Sequence, residues 1–179
     1  MANSGESKIG MQTHWGLRFV WRIDSQSIAN NTSRISSFLY IYSNPGYYIN
    51  PTWGNRTVKL TIDGSTTTYT RAASYFSTTT GGESLIASRS HTVKHNSDGT
   101  KTMNIGFDTD VHITLNGHTY TTIARSWDRP LDPIKVVPSV SVMASGSWRS
   151  AKGVWVMGSG SWRKADGLSV MASGSWRKS

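Results

Sequence analysis

Apolar and polar residues alternate through most of the first two thirds of the chain. In residues 17–23 every second residue is apolar, and Arg18 and Arg22 lie between the apolar positions. This period of two predicts a half-buried strand, because successive side chains of a strand point to opposite faces of the sheet. The same alternation recurs in residues 58–62, 102–107 and 111–115. We therefore predict an all-β fold in which Trp21 faces the core.

Turn sequences separate these predicted strands. Asp63-Gly64 and Asn116-Gly117 are strong hairpin signals, since a two-residue hairpin turn requires residues that tolerate positive φ. Residues 96–99, Asn-Ser-Asp-Gly, predict a further reversal. Residues 37–42 have apolar side chains at both odd and even positions, which predicts a central strand covered on both faces. About seven short strands with such turns are typical of a β-sandwich.

The composition changes after this region. Residues 129–138 contain three prolines, which disfavour a ladder strand and predict an extended linker. Beyond it, an eight-residue unit of the form Val-Met-x-Ser-Gly-Ser-Trp-Arg begins at Val142, Val156 and Val170, with a period of 14 residues. Each copy in residues 139–179 predicts a short β-hairpin.

A repeat this short cannot bury its own apolar side chains, so neighbouring units or other chains must cover them. We expect this region to be an oligomerisation or tip region and the protein to be a homotrimer. The predicted contacts are the Trp and Met residues of the three copies: Trp148, Trp162, Trp176, Met143, Met157 and Met171.

Composition and charge exclude several classes of protein. The 179-residue chain has no Cys, which excludes disulfides, and it has no apolar run long enough to span a membrane. Its polar N-terminus does not predict a secretory signal peptide. The net charge is +9, but no block of like charge or nucleic-acid-binding motif accompanies it, so we expect no specific nucleic-acid partner and no membrane insertion.

Candidate catalytic and metal-ligating residues are few. His91 and His95 lie on one face of a predicted strand, and the other candidates by residue type are His112, His118, Asp108 and Asp110. The preferred interpretation is structural, with the histidines bonding near the turn at residues 96–99. The chain lacks a Gly-x-Ser-x-Gly nucleophile elbow and a phosphate-binding loop. We therefore expect a protein that is not an enzyme and uses no metal or other cofactor.

Aromatic residues cluster around a loop that contains Asn44-Pro45-Gly46. Tyr47 and Tyr48 are adjacent, so they cannot both face inward on a strand, and Trp53 follows within six residues. Exposed aromatic rings beside amide and hydroxyl groups suit sugar rings, so Tyr47, Tyr48 and Trp53 are candidates for contact with a glycan. The alternative is that these rings pad the end of the sandwich or a subunit contact.

Two segments carry a resemblance to a known family. Residues 25–35, SQSIANNTSRI, and residues 91–101, HTVKHNSDGTK, resemble an Ig-like structural module of virions of tailed phages that infect Gram-positive bacteria. The Gly-Ser-Trp-Arg units are similar to tandem repeats that end minor tail proteins of actinobacterial phages. The resemblance covers about residues 13–127 and implies an Ig-like β-sandwich there. The expected domains are an N-terminal arm (1–12), the Ig-like β-sandwich (13–128), the linker (129–138) and the repeats (139–179).

The function implied by this resemblance is that of a non-enzymatic structural protein of a phage particle. The protein would be located in the virion, as a minor tail or tail-fibre component that assembles with itself and with other virion proteins. A capsid decoration (head-fibre) protein is one alternative. A host-attachment module that binds carbohydrate of the host cell wall is another.

Overall fold

The structure is a computed structural model that describes residues 3–51 and 54–135, together with the backbone of six short strands between residues 140 and 178. The chain divides into two compact units, Met1–Val136 and Val137–Ser179. The first unit consists of two four-stranded antiparallel sheets, which confirms the prediction of an all-β sandwich.

The first sheet has the strand order β1-β2-β3-β6. Its strands are β1 (Ser4–Gln12), β2 (Trp15–Ser27), β3 (Thr32–Ser43) and β6 (Glu83–Lys94). The second sheet has the order β5-β4-β7-β8. Its strands are β4 (Asn55–Ile62), β5 (Ser65–Ala72), β7 (Thr102–Leu115) and β8 (His118–Pro130). A single 3-10 turn, Ala73–Phe76, connects β5 with β6.

The core lies between the two sheets and confirms the predicted face of β2. Leu17, Phe19 and Trp21 are all buried, whereas Arg18 and Arg22 point outward. Across the core, Phe107 of β7 lies 5.6 Å from Phe19, measured between ring centroids. Burial of these alternating side chains fixes the strand register, since a slip by one residue would expose the whole apolar face.

Both predicted hairpin turns are confirmed by backbone geometry. Asp63 and Gly64 have φ values of 50° and 77°, and Asn116 and Gly117 have values of 47° and 76°. Positive φ at both central residues is the geometry of a type I′ turn. These turns join β4 to β5 and β7 to β8, and they set the antiparallel register of each pair.

One side of the sandwich is closed by side chains that donate hydrogen bonds to backbone carbonyls of the opposite sheet. The hydroxyl of Tyr69 on β5 donates to the carbonyl of Ser88 on β6 at 2.7 Å. In the reverse direction, the Arg89 guanidinium donates to the carbonyl of Leu60 on β4 at 2.9 Å. Burial between the sheets lowers the pKa of Arg89. The two bonds connect the sheets, and the bond from Tyr69 gives a partner to a carbonyl of the edge strand β6.

The prediction of an N-terminal arm over residues 1–12 differs from the structure, in which Ser4–Gln12 forms the edge strand β1. Ile9 pairs with Leu17, and Gly5 pairs with Trp21. A Cβ atom at Gly5 would lie 2.5 Å from the indole nitrogen of Trp21, so this strand position has no room for a side chain. The polar outer face of β1 masks its strand character in the sequence.

The predicted linker at residues 129–138 also begins inside the first unit. Its first two residues end β8, and Leu131 and Ile134 are buried against the sandwich. The amide of Leu131 donates to the carbonyl of Lys101 at 2.9 Å, and that of Ile134 donates to Gly99 at 3.0 Å. Pro130 and Pro133 therefore lie in a segment that packs on the fold before the second unit begins.

Residues 37–42 lie in the central strand β3, as predicted. In the part of the chain that the structure describes, the outer face of this strand is covered by side chains of the same sheet and not by another layer of the fold. Phe38 and Tyr40 are half-buried beneath arginine side chains of β2. The guanidinium of Arg18 lies 4.4 Å from the Tyr40 ring centroid, and that of Arg22 lies 5.2 Å from the Phe38 centroid. Glu83 accepts hydrogen bonds from Arg18 and raises its pKa. Cation–π stacking thus covers the outer apolar face.

The second unit contains three two-stranded antiparallel pairs. Their strands are β9 (Val140–Ala144) with β10 (Ser147–Ala151), β11 (Trp155–Gly158) with β12 (Ser161–Lys164), and β13 (Ser169–Ala172) with β14 (Ser175–Lys178). Within the described part of the chain, no helix has the length and apolar character needed to cross a membrane.

Candidate functional site

The two segments that carry the family resemblance meet at one end of the sandwich, which we call the histidine end. It comprises the β2–β3 hairpin turn and the segment between β6 and β7. His95 is buried there, and both of its ring nitrogens are bonded. Its Nδ1 lies 2.8 Å from the carbonyl oxygen of Gly99, and its Nε2 lies 2.7 Å from the hydroxyl of Ser33. Since a carbonyl only accepts, Nδ1 carries the proton and Nε2 accepts from Ser33.

Asn31 joins the two segments through further hydrogen bonds. Its side-chain amide donates to the carbonyl of Asn96 at 2.7 Å, and its own carbonyl accepts from the His95 amide at 2.9 Å. Asn31 has a φ of 51°, a conformation that Asn adopts more readily than most residues. Asn31, Ser33 and His95 therefore hold the two loops together. This geometry gives them a structural role and confirms the predicted bonding of His95 near the turn.

Of the remaining candidate ligands, Asp110 and His112 are in contact with each other, and the structure does not bring the others to them. His91 lies in β6 and is half-buried, whereas His118 lies beside Tyr120 at the start of β8. Asp108 pairs with Lys59 at 3.1 Å. Among the described residues, no group of three or more side chains is arranged to hold a metal ion.

The structure separates the two tyrosines of the aromatic loop. The Tyr47 ring is half-buried and stacks on the His14 ring, with 3.7 Å between centroids, so one of its faces is covered. It also packs against the edge of the core beside Trp15. Tyr48 is exposed over 62% of its surface. Trp53 lies outside the described residues, so of the three predicted glycan contacts only Tyr48 presents a largely open surface here.

A cavity of about 390 Å³ adjoins Tyr48 at this end of the sandwich, which we call the tyrosine end. Its lining comes from three segments of the first unit: the start of β2, the loop after β3 and the end of β7. The lining residues include Trp15, Tyr48, Asn50, His112, Thr114 and Asn116.

His112 reaches the cavity wall through a β-bulge in β7. The pairing of β7 with β8 shifts between Asp110 and Ile113, and His112 has a φ of 42°. Beneath it, the buried guanidinium of Arg56 donates from Nε to the Val111 carbonyl at 2.6 Å and from Nη2 to the His112 carbonyl at 3.2 Å. Burial lowers the pKa of Arg56. The arginine therefore fixes the two carbonyls of the bulge.

The three strand pairs of the second unit share one register. Each pairs the Met of its repeat with the Trp: Met143 with Trp148, Met157 with Trp162 and Met171 with Trp176. Each also pairs the preceding Val with the following Arg, as in Val142 with Arg149. The side chains of these residues lie outside the described part of the structure, so their predicted role in oligomerisation stays a prediction.

Comparison with known proteins gives no match: no family model, no curated protein and no solved structure is similar to the chain. The function is therefore inferred from the residues and their geometry.

Proposed function

We propose that this protein is a non-enzymatic structural component of a bacteriophage particle, built into the tail as a minor tail or tail-fibre protein. It assembles with itself through its repeats and docks on other virion proteins. The observation that carries the proposal is the common register of the three tandem strand pairs, since a register repeated every 14 residues is a modular architecture.

Self-assembly follows from the small size of each pair. A single two-stranded antiparallel pair is at best marginally stable in water. Burial of a Trp side chain removes about 150–250 Å² from water and contributes about 4–6 kcal/mol before the entropy of ordering is subtracted. Three Trp residues per chain offset the ordering of the repeats only when other chains cover them. A homotrimer is the simplest closed assembly that supplies this cover to a threefold-repeated unit.

The sandwich supports the same proposal in a different way. The two segments that resemble the phage module interlock around His95, so they serve to hold loops together and not to perform chemistry. A rigid module that carries a self-associating tail suits a virion part that must withstand force and repeat around a symmetry axis. Location in the virion is part of this proposal.

The oligomeric state tests the role of the repeats. In the full chain, replacing Trp148, Trp162 and Trp176 by Ser should convert a trimer into a monomer in size-exclusion chromatography with light scattering. As a matched control, replacing Arg149, Arg163 and Arg177 by Ser should leave the trimer intact. Truncation after Val137 should give a folded monomer, since the first unit has its own core. An unchanged mass for the Trp variant would contradict the proposal.

The position in the particle needs a separate experiment. Mass spectrometry of purified phage particles should detect the protein, and immunogold labelling should place it on the tail. Labelling of the head would instead support the alternative of a capsid decoration protein. Absence of the protein from particles would contradict a structural role in the virion altogether.

A further inference from the structure

The tyrosine end combines a cavity with a strained backbone at its wall. A non-glycine residue with φ near 42°, as at His112, persists only where its surroundings hold it. Bulges of this kind re-aim side chains and are found preferentially near functional sites. Glycine would adopt the same φ freely, so the sequence retains a side chain at a position where glycine fits the backbone better. That side chain is an imidazole whose surface is 59% exposed.

The bulge also sets the orientation of this imidazole. The Asp110 carboxylate contacts Nδ1 of His112. This contact leaves Nε2, on the far side of the ring, available for a ligand in the cavity. Arg56 holds the carbonyl groups of both bulge residues from below, and its Nη1 is buried without a hydrogen-bond partner among the described residues. The pair of Asp110 and His112 is therefore carried by a rigid support.

The other lining groups define the chemistry of the ligand. Tyr48 offers an exposed ring, and the side chains of Asn50, Asn116 and Thr114 offer neutral donors and acceptors. Among the described residues that line the cavity there is no Lys or Arg, the side chains best suited to bind a phosphate or a carboxylate. An aromatic face beside several neutral hydrogen-bonding groups matches a sugar ring, whose faces are apolar and whose hydroxyls both donate and accept.

We propose that this cavity binds a neutral saccharide, with Tyr48 stacking on the ring and His112, oriented by Asp110, bonding to its hydroxyls. Binding is a property of the first unit and does not depend on self-assembly through the repeats. It therefore goes beyond the structural role proposed above, and each can fail without the other.

The test uses the full-length protein and immobilised oligosaccharides. The panel contains neutral tetramers of glucose, of galactose, of rhamnose and of N-acetylglucosamine, and anionic oligosaccharides of uronic acid and of phosphorylated glycerol. The wild-type protein should bind at least one neutral tetramer more tightly than any anionic one. His112→Gly should weaken that binding at least about tenfold while its melting temperature stays the same or rises, because glycine relieves the strained φ.

Tyr48→Ser should weaken the same binding by a similar factor with little change in melting temperature. Tyr75→Ser is the matched control, since Tyr75 is also exposed but does not line the cavity, and it should bind as the wild type does. Three results would overturn the proposal: no binding of any neutral tetramer, preference for an anionic oligosaccharide, or unchanged binding in both His112→Gly and Tyr48→Ser.

Discussion

The two ends of the sandwich are built from the same kinds of residue and use them in opposite ways. At the histidine end, His95 is buried and both ring nitrogens are bonded to neighbouring loops. At the tyrosine end, His112 is exposed on a strained bulge, and the buried Arg56 beneath it keeps one nitrogen without a partner among the described residues. His95 is thus part of a buried hydrogen-bond network, whereas the side chain of His112 is exposed to solvent.

This difference separates residues that maintain the fold from residues that are free to bind. A buried polar network rigidifies a structure when its members are satisfied, and each broken bond then costs stability. A strained, exposed residue contributes nothing obvious to stability, so its retention requires another explanation. Substitutions at the histidine end should therefore lower stability, whereas those in the cavity of the tyrosine end should alter binding.

The largest effect is expected at His95. His95→Ala would remove the hydrogen bonds of the imidazole to the Gly99 carbonyl and the Ser33 hydroxyl, and it would open a cavity. Together these changes should lower the free energy of unfolding by about 2–4 kcal/mol. Urea denaturation followed by tryptophan fluorescence measures this change.

His91→Ala is the matched control, because His91 lies on the same face of β6 but is only half-buried. Its effect should stay below about 1 kcal/mol. Equal losses in the two variants would show that the bonds of His95 to the neighbouring loops are not what stabilises this end.

An intermediate effect should distinguish the two adjacent tyrosines. Tyr47→Ser removes a ring that stacks on His14 and meets Trp15 edge-on at 5.2 Å, so it should lower stability by about 1–2 kcal/mol. Tyr48→Ser removes an exposed ring and should change stability by less than about 0.5 kcal/mol. Thermal melts of both variants measure the difference, and a larger loss for Tyr48 would mean that the roles of the two rings are exchanged.

Local patterns in the sequence were sufficient to predict β2, β3, β4 and β7 and the two hairpin turns. The alternation around Trp21 gives the buried face of β2, and Asp63-Gly64 and Asn116-Gly117 give two hairpin turns with their φ signs. These features are predictable because they depend on neighbours in sequence. The strand β1 was not predicted, since an edge strand with a polar outer face shows only a weak apolar pattern.

The sites depend on contacts between distant residues, so the sequence predicts them less well. Ser33 and His95 are 62 positions apart, and no local pattern links them. The bulge that carries His112 is reflected in the sequence of β8, the strand that pairs with β7. Residues of β8 that pack on the core switch from an even position, Tyr120, to odd positions, Ile123 and Trp127. That change indicates an irregular register without showing which side chain the opposite strand presents.

The smallest effect concerns Asp98, in the turn of the histidine end. Its carboxylate accepts hydrogen bonds from the hydroxyl and the amide of Thr100 at 2.7 and 2.9 Å, and these bonds lower the pKa of Asp98. A carboxyl whose pKa is lower in the folded than in the unfolded state stabilises the fold above the unfolded pKa, near 3.9. That contribution is lost as the pH falls through the folded pKa. Because Asp98 is exposed, solvent screening keeps the contribution small.

Asp98→Asn retains an oxygen acceptor but removes the titration. The melting temperature of the wild type should therefore exceed that of the variant at about pH 6, and the gap should narrow as the pH falls towards about 2. Other carboxyls titrate in both proteins, so only the difference between the two curves reports on Asp98. Curves that remain parallel over this range would show that the bonds from Thr100 do not favour the charged carboxylate.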